Sequence, residues 1–453
     1  MFHFHIRKPK SSAEMHAHPR RVYLLVLLLD LLALAANQLA IHSSTFADVY
    51  SHYVYRVLSL GIGSVMGLLP FSVVELLLYA TILFVLFDFV KQLCRAVRAG
   101  AGCLHPAPGS QTQAVRASQA SLAHAETATN SKGTTSGSAE TQSDEPQQKH
   151  TCAACPTHLL TAVARPLRHF LGHLFLILST LLVLYVFLCG INYHRTSFSE
   201  EAGLSVTIDA HGTVYDEADL IALCDYLVTE INDTEAQLDV PCIGQTAETP
   251  KPSAAWLWHA GRTGQRAMEK LGQRYHRLSG HYPYPKPILN TWILSVQQTT
   301  GVYSPFTVEA NYNRDIAYYD IPFTICHELS HLRGYMQEEE ANFIGVLATI
   351  GADDLYFNYS GYVSAWVYAG NALARIDSTA FATLYARINA RTRQDMLYNN
   401  AYWQQFEGKP AEAHEQLNDA YLKMQGQATG VRSYGHVTDL MLEYFAKNGT
   451  LTQ

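Results

Sequence analysis

Three long apolar segments constrain this chain more than any other feature. They cover residues 22–41, 71–90 and 170–191, and each is long enough to cross about 30 Å of hydrocarbon as a helix. The composition agrees, because 48% of the 453 residues are hydrophobic and only 16% are charged, too apolar a balance for an ordinary soluble enzyme. We therefore expect three transmembrane helices, with the lipid bilayer as a partner.

Lysine and arginine predict the orientation of these helices. Five of them precede the first segment, only Arg56 lies between the first and second, and eight lie between the second and third. Cytoplasmic loops are enriched in these residues. The predicted organisation is a cytoplasmic N-terminus (1–21), two transmembrane helices with a short outer loop (22–98), a disordered low-complexity cytoplasmic loop (99–168), a third transmembrane helix (169–193) and an extracytoplasmic domain (194–453).

Two further features of the composition bear on folding and partners. The second loop is rich in Ser, Thr, Ala, Gln and Gly and has too few large apolar residues to form a core. The net charge of −7 comes without a basic face, so nucleic acid is not an expected partner. The oligomeric state is left open by the sequence.

The outer domain reads as mainly α with a small sheet. Residues 215–232 and 254–278 repeat apolar positions every three to four residues, as amphipathic helices do. Residues 281–295 and 303–319 are rich in aromatic residues, alternate apolar with polar positions and are interrupted by prolines, which indicates a few strands and turns. Helices resume at Asp320 and run to the end.

One stretch in this domain carries unusual charge. Residues 320–347 read DIPFTICHELSHLRGYMQEEEANFIGVL, with Asp320 expected as N-cap and Pro322 in the first turn. His327 and His331 then project from one helix face one turn apart, as capture of a single metal ion requires. Since the flanks are apolar, the helix is expected to be buried, where unpaired polar groups are costly. A metal ion would supply the missing partner.

A catalytic zinc normally takes three protein ligands and keeps one position open, so we expect one Zn²⁺ per chain. Gly334 can end the helix in a left-handed turn, which returns the next helix, with its acidic first turn, close to the histidines. Glu338, Glu339 and Glu340 are all candidates for the third ligand by their chemistry.

Several stretches resemble a known family. These are GVYSPFTVEANYN (301–313), HELSHLRGYMQEEEANF (327–343) and residues 417–442, behind three apolar segments with PFSVVELL (70–77). They look like the domain-of-unknown-function family 3810, bacterial membrane proteins placed among zinc-metallopeptidase-like folds. The resemblance implies an α+β zincin-like, gluzincin-type domain. It selects Glu338 as the third ligand, and it implies that Asn342, where related peptidases carry Asp, orients a histidine ligand.

The sequence also suggests roles in peptide hydrolysis. Zinc would polarise the scissile carbonyl, and Glu328 would act as general base and proton shuttle. Tyr434 and His436 are the candidate donors to the developing oxyanion, with Arg432 as a weaker one.

The strand at residues 306–313 is a candidate for pairing with an extended peptide substrate, and its Asn311 and Asn313 are candidate substrate-binding residues. Asn311 also has an alternative, purely structural interpretation.

The predicted function is thus a membrane-anchored zinc metallopeptidase that acts on peptides or envelope proteins outside the cytoplasm. The alternative is a sensor or scaffold whose zinc domain binds a ligand without hydrolysis. An intact Glu328 favours the peptidase, because a binding-only site has less need of a base.

Overall fold

The computed structural model of the chain describes residues 12–104, 156–204, 215–240, 242–424 and 436–452. The chain divides into two compact units, one made of Met1–Leu78 and Ser179–Gln453 and the other of Tyr79–Leu178. In the second unit, Asp88 pairs with the Nδ1 atom of His173 at 2.8 Å, so one of the acidic residues in its apolar helices has a polar partner. The architecture is mainly helical with a small three-stranded sheet, as the sequence predicts.

The N-terminal half contains three helices that are long and apolar enough to cross a membrane, with candidate spans at Arg21–His42, Val73–Ala101 and Val163–His194. These coincide with the three predicted segments. The elements in this part are α1 (Ser12–His42), α2 (Ser44–Val49), a π-helical segment (Tyr50–Tyr55), α3 (Arg56–Met66), α4 (Val73–Leu104), α5 (Pro156–Leu188) and a 3₁₀ turn (Gly190–His194).

The helices α4 and α5 extend into the segment that the sequence analysis assigned to the second loop. Helix α4 continues to Leu104 and α5 already begins at Pro156, whereas the prediction gave residues 99–168 to the loop. The beginning of α5 is rich in helix-forming Ala, Leu and Arg, and proline is well tolerated at the first helical position. Residues 105–155, the larger part of that loop, lie outside the described residues.

The remaining helices and strands follow in chain order. They are α6 (Phe198–Glu201), α7 (Glu217–Ala236), α8 (Ala254–Arg274), a 3₁₀ turn (His276–Leu278), β1 (Lys286–Pro287), α9 (Trp292–Ser295), β2 (Gly301–Ser304), β3 (Glu309–Tyr312), α10 (Asp320–His331), α11 (Glu338–Ile350), α12 (Leu355–Ile376), α13 (Ser378–Arg387), α14 (Ala390–Gln404), α15 (Lys409–Met424) and α16 (His436–Asn448).

Local capping explains where several of these helices begin. Asp216, Ser253, Asp354 and Asp377 each accept hydrogen bonds from backbone N–H groups in the first turns of α7, α8, α12 and α13. Such bonds satisfy donors that a helix N-terminus otherwise leaves unpaired.

The start of α10 follows a different rule, and the prediction of Asp320 as its N-cap was wrong. Asp320 is the first helical residue, and no side chain from the preceding residue caps the helix. The hydroxyl of Ser360, on α12, accepts from the N–H of Phe323 at 3.1 Å. A tertiary hydrogen bond from α12 therefore supports the first turn of α10, where the sequence predicted a local cap by Asp320.

Helix α10 is the buried centre of the C-terminal domain, packed among α8, α11, α12 and the sheet. Two glycines let the neighbouring helices approach. A Cβ at Gly264 on α8 would lie 2.4 Å from Ile325, and one at Gly345 on α11 would lie 3.1 Å from Phe323. The close packing fixes the position of the two histidines on α10.

The sheet has the order β1-β3-β2, with β1 parallel and β2 antiparallel to β3. The strand that the sequence offers to a substrate, β3, is therefore the central one, and both of its edges already carry a strand. Among the described strands, β2 pairs on one side only, so it provides an edge that an added strand could use.

The segment between α1 and α4 packs against the C-terminal domain rather than forming a simple turn. The carboxylate of Asp48 accepts from the N–H and hydroxyl of Thr196 at 3.0 and 2.6 Å and pairs with Arg277 at 3.0 Å. The hydroxyl of Tyr55, which is 1% exposed, donates to the carbonyl of His331 at 3.2 Å. This segment thus supports the end of α10 directly.

The first turn of α4 is bound by the sheet. Glu309 of β3 accepts from the N–H groups of Val73 and Val74 at 3.1 and 2.9 Å, and its carboxylate also forms a buried ion pair with Lys286. A carboxylate at a helix N-terminus satisfies unpaired donors and the helix dipole together. The domain is consequently joined to the beginning of a candidate span.

Candidate metal centre

Two histidines and one glutamate converge at the C-terminal end of α10. The Nε2 atoms of His327 and His331 lie 3.2 Å apart, and the carboxylate of Glu338 lies 3.3 Å from the first and 3.8 Å from the second. A tetrahedral zinc with bonds of 2.0–2.2 Å places its ligand atoms roughly 3.3–3.5 Å apart. The spacing and the chemistry of these three donors fit one such ion.

A left-handed turn brings Glu338 back to the histidines. Gly334 has φ +84°, as the sequence predicts, and α11 begins four residues later. The carbonyl of Tyr335, inside this turn, accepts from Nδ1 of His331 at 2.7 Å. That bond fixes the ring and leaves Nε2 to face the cleft, which is the usual arrangement for a histidine ligand.

The other two glutamates of the acidic turn do not join this cluster. Glu340 is buried and accepts from the N–H and hydroxyl of Ser199 at 3.0 and 2.8 Å, which anchors α6. Burial raises the pKa of Glu340 to about 7. Of the three glutamates that the residue chemistry left open, the structure brings Glu338 to His327 and His331.

Asn342 lies one turn further along α11, against His327. It is 3% exposed, and its hydrogen-bonding contact with His327 is one of the interactions that raise the pKa of that histidine. The Nδ1 atom of His327 is buried and has no well-formed bond of its own. Asn342 therefore occupies the place from which a side chain can orient this ring.

The electrostatics of the cluster depend on burial and mutual charge. Burial lowers the pKa of His327, but the hydrogen bond to Glu338 and the charges of Glu338 and Glu328 outweigh it and raise the value. Burial and the nearby His327 lower the pKa of His331 to about 4. Burial alone would raise the pKa of Glu338, yet the two histidines lower it overall. The cluster thus favours an ionised carboxylate beside a neutral His331, as metal binding requires.

Glu328 stands beside the cluster, 4% exposed, with its Oε2 atom lacking any partner within the described residues. Burial raises its pKa to about 8. Gly301 of β2 makes room for this carboxylate, because a Cβ there would lie 2.6 Å from Oε1. A buried carboxylate that lies close to a set of metal-ligating side chains and is free to accept a proton can serve as a general base.

The cluster lies in a large open cleft of about 990 Å³. Residues of β2, α10, α11 and α12 line the cleft, together with α15 and the turn before it, which we call the α15 wall. Buried Thr324 and Ser364 also line the cleft, and their hydroxyls have no partner among the described residues. Unpaired buried hydroxyls are costly unless a ligand or water bonds them.

The predicted substrate-binding residues Asn311 and Asn313 do not line this cleft. Asn311 and Asn313 are fully buried, and their amides bond to Val302 and Glu309 carbonyls and to the Ser295 hydroxyl. Both amides thus support the sheet and the loops beside it, which is the structural interpretation.

The predicted oxyanion donors have two different outcomes. His436 begins α16, lies 3.9 Å from Asp439 and is not among the residues that line the cleft. Tyr434 and Arg432 lie outside the described residues.

Sequence reasoning missed the wall formed by α15. Glu407, Glu412 and Glu415 line the cleft together with His414 and Asn418. Within α15, Glu412, Glu415 and Asn418 follow one another at three residues and His414 precedes Asn418 by four, which puts these four on one side of the helix. That spacing could have indicated a shared face, but a polar face normally indicates solvent.

Comparison with known proteins gives one result. The model of the family described as "Protein of unknown function (DUF3810)" matches residues 157–442. No curated protein and no solved structure matches the chain. The match includes the histidine helix, the acidic turn and all of α15, and it spans well over half of the chain. The protein therefore belongs to the DUF3810 family of proteins of unknown function.

Proposed function

We propose that the protein is a membrane-anchored zinc metallopeptidase that hydrolyses peptides or envelope proteins outside the cytoplasm. The observation that carries this proposal is the buried cluster of His327, His331 and Glu338 with Glu328 beside it in an open cleft. The apolar helices α1, α4 and α5 supply the anchor, and the positive residues of the N-terminus and second loop support an extracytoplasmic domain.

His327, His331 and Glu338 would hold the zinc ion, and Asn342 would orient His327. When bound, zinc supplies a Lewis acid that polarises a carbonyl and lowers the pKa of water. Glu328 takes the proton from the attacking water and passes it to the leaving amine. Its carboxylate is buried and its Oε2 atom has no partner among the described residues, which suits it to hold that proton between the two steps.

The edge of β2 supports a specific placement of substrate. Gly301 and Val302 line the cleft beside Glu328, and β2 pairs on one side only among the described strands. An extended peptide can add to such an edge through main-chain hydrogen bonds. This role moves from β3, where the sequence placed it, to β2.

The charge of the cleft supports a substrate class. Six carboxylates line it, namely Asp320, Glu328, Glu338, Glu407, Glu412 and Glu415, whereas no lysine or arginine does so among the described residues. Zinc would neutralise part of this charge near the histidines, but not that of the α15 wall. Peptides with Lys or Arg side chains directed towards α15 would therefore bind best.

The first test is metal content of the full chain purified in detergent. About one zinc per chain is expected in the wild type and in Glu339→Ala, a matched control in the same acidic turn. Glu338→Ala and His331→Ala should lose it, because each removes one of three ligands. Retention of zinc by both variants would contradict the ligand assignment.

The second test separates a peptidase from a zinc-dependent sensor or scaffold. The zinc-loaded wild type and Glu328→Gln are incubated with a library of Lys- and Arg-containing peptides, and products are identified by mass spectrometry. Hydrolysis that falls by a factor on the order of 10³ in Glu328→Gln, with zinc retained, is expected for loss of a general base. Full zinc occupancy with peptide binding but no cleavage in the wild type would instead support the binding protein.

A further inference from the structure

Four arginines converge beyond the end of α10, on a part of the surface separate from the cleft. Arg56, Arg195, Arg277 and Arg333 line a small cavity of about 20 Å³, together with Ser51, His52, Tyr55, Ser59 and Leu332. We call these four residues the arginine cluster. It brings together the outer segment between α1 and α4 and the turn that follows His331.

The arginine cluster is only partly neutralised. Arg277 pairs with Asp48 at 3.0 Å and with Glu201 at 2.7 Å, and Arg195 shares Glu201 at 3.0 Å. Within the described residues, Arg56 and Arg333 form no ion pair with a carboxylate. Four guanidinium groups thus face two carboxylates.

The two unpaired arginines lie next to each other. A Cβ on Gly280 would lie 3.2 Å from Nη2 of Arg333 and 3.5 Å from Nη2 of Arg56. Arg333 is 6% exposed and its Nε has no partner among the described residues. The same holds for Nε of Arg195, which is 8% exposed. Arg56 is half-buried beside them, and a buried cation with another cation nearby and no counter-charge is costly.

Packing explains part of this arrangement. The guanidinium of Arg333 lies 4.1 Å from the ring centroid of Tyr282, and its Nη2 donates to the carbonyl of His281 at 2.6 Å. Arg56 donates to the carbonyl and hydroxyl of Ser279 at 3.2 and 3.1 Å. These neutral partners satisfy some N–H groups, but they do not balance the two positive charges.

We propose that the arginine cluster binds a phosphate group. Guanidinium forks match phosphate oxygens in charge and geometry, and the four arginines that line the cavity carry more positive charge than Asp48 and Glu201 balance. Because the cavity is small, it takes one or two phosphate oxygens while the rest of the ligand stays at its mouth. The ligand is a phosphate ester or free phosphate, and the position of the site indicates which.

The outer segment places the mouth of the site at a lipid surface. Its apolar residues Val49, Tyr53, Val57 and Leu68 are 53%, 68%, 67% and 82% exposed, and they follow the candidate span of α1 after only a few residues. Its two charged residues, Asp48 and Arg56, turn towards the domain instead. An apolar face continuous with a membrane span is expected to lie in the bilayer interface.

The phosphate of an anionic lipid headgroup is therefore the favoured source, and this part of the inference rests on the proposed membrane anchorage. Free phosphate offers the same chemistry from the aqueous side. The two sources differ in whether binding needs the lipid.

The test uses the full chain, delipidated in a neutral detergent, with Arg56→Gln, Arg56→Lys and the exposed control Arg375→Gln. Each is titrated with phosphatidylglycerol, and thermal stability reports binding. Arg56→Gln should weaken binding about tenfold, as loss of a charge-assisted hydrogen bond does. Arg56→Lys should recover part of the affinity, and Arg375→Gln should match the wild type.

Parallel titrations with sodium phosphate and with sodium chloride at equal ionic strength distinguish the sources. Stabilisation by phosphatidylglycerol alone, dependent on Arg56, supports a lipid headgroup. Stabilisation by phosphate as well, again dependent on Arg56, supports a site for the phosphate group from either source. Equal phosphatidylglycerol affinity in the wild type and Arg56→Gln, with no effect of phosphate, would overturn the proposal and leave the arginines a structural role. Arg333→Lys provides a second variant if Arg56→Gln fails to fold.

Discussion

Two clusters of opposite charge meet at the end of α10. On one side, the carboxylates of Glu328 and Glu338 crowd against the rings of His327 and His331, with no lysine or arginine among the described residues that line the cleft. On the other, Arg333 follows His331 by two residues and lies near Arg56, and neither pairs with a carboxylate within the described residues. Two residues correspond to about 200° around a helix, so the chain passes from one cluster to the other in little more than half a turn.

The comparison with other buried charges of the same domain shows why both clusters stand out. Lys286 and Glu309 are as deeply buried but form an ion pair with each other. Where a structural ion pair suffices, the fold provides both partners. At the end of α10, carboxylates outnumber basic side chains on one side and arginines outnumber carboxylates on the other. This imbalance is the basis for the proposed metal ion in the first cluster and the proposed phosphate group in the second.

Gly301→Ala tests the cleft side alone, and its expected effect on hydrolysis is the largest after that of Glu328→Gln. The new Cβ would lie 2.6 Å from Oε1 of Glu328 and should displace that carboxylate without touching the three zinc ligands. Peptide hydrolysis should fall by a factor on the order of 100, while zinc content stays near one per chain. Both are measured on the same preparation, by product formation and elemental analysis.

The control for this change is Gly61→Ala on α3, where a Cβ would meet nothing within 4 Å. It should leave hydrolysis unchanged and stabilise the helix slightly, by up to about 1 kcal/mol. Loss of zinc in Gly301→Ala would show that the histidine helix itself had moved, and the assignment of Glu328 as the affected group would fail.

A smaller effect is expected from Asn342→Ala, which tests how the metal side is supported. Removing the amide frees the ring of His327, and zinc affinity should fall about tenfold. Asn342→Asp should bind zinc at least as well as the wild type, because a carboxylate orients a histidine ligand better than an amide does. Competition with a zinc chelator measures both.

Asn418→Ala is the matched control, since Asn418 lines the same cleft on α15 but does not contact the histidines. If Asn342→Ala and Asn418→Ala gave equal zinc affinities, Asn342 would have no role in orienting His327.

These features differ in how far the sequence could reveal them. The spacing of His327 and His331 and the left-handed Gly334 follow from helix geometry, which is local. The three apolar segments likewise follow from length and composition. In each case the residues that matter are neighbours in sequence or form a periodic pattern, so one chain suffices to predict them.

The arginine cluster and the support of α10 follow from contacts between distant residues. Tyr55 reaches the carbonyl of His331 across 276 positions, and Ser360 does the capping that the sequence assigned to Asp320. Asn311 and Asn313 had the residue types of a binding site, yet the order of the sheet buries them. Such outcomes depend on tertiary packing, which no local pattern encodes.

The smallest effect is expected on the α15 wall, where the carboxylates are more exposed. The pair Glu412→Gln and Glu415→Gln should weaken binding of a Lys-containing peptide about fivefold in total, because an exposed ion pair contributes only about 0.2–1 kcal/mol. The same substitutions should leave binding of the matching Gln-containing peptide unchanged. Fluorescence anisotropy on zinc-loaded Glu328→Gln measures both affinities without cleavage.

The pair Asp239→Asn and Glu248→Gln removes the same charge from exposed surface outside the cleft and serves as the control. If it weakened binding equally, the net charge of the protein would be responsible rather than the position of the wall.

A position-specific effect should also fade with added salt, because interactions between exposed charges are screened over about 8–10 Å at moderate ionic strength. Loss of zinc upon Glu338→Ala should persist in salt, since the ligand cluster is largely shielded from solvent. Salt therefore separates the exposed wall from the buried ligands within one cleft.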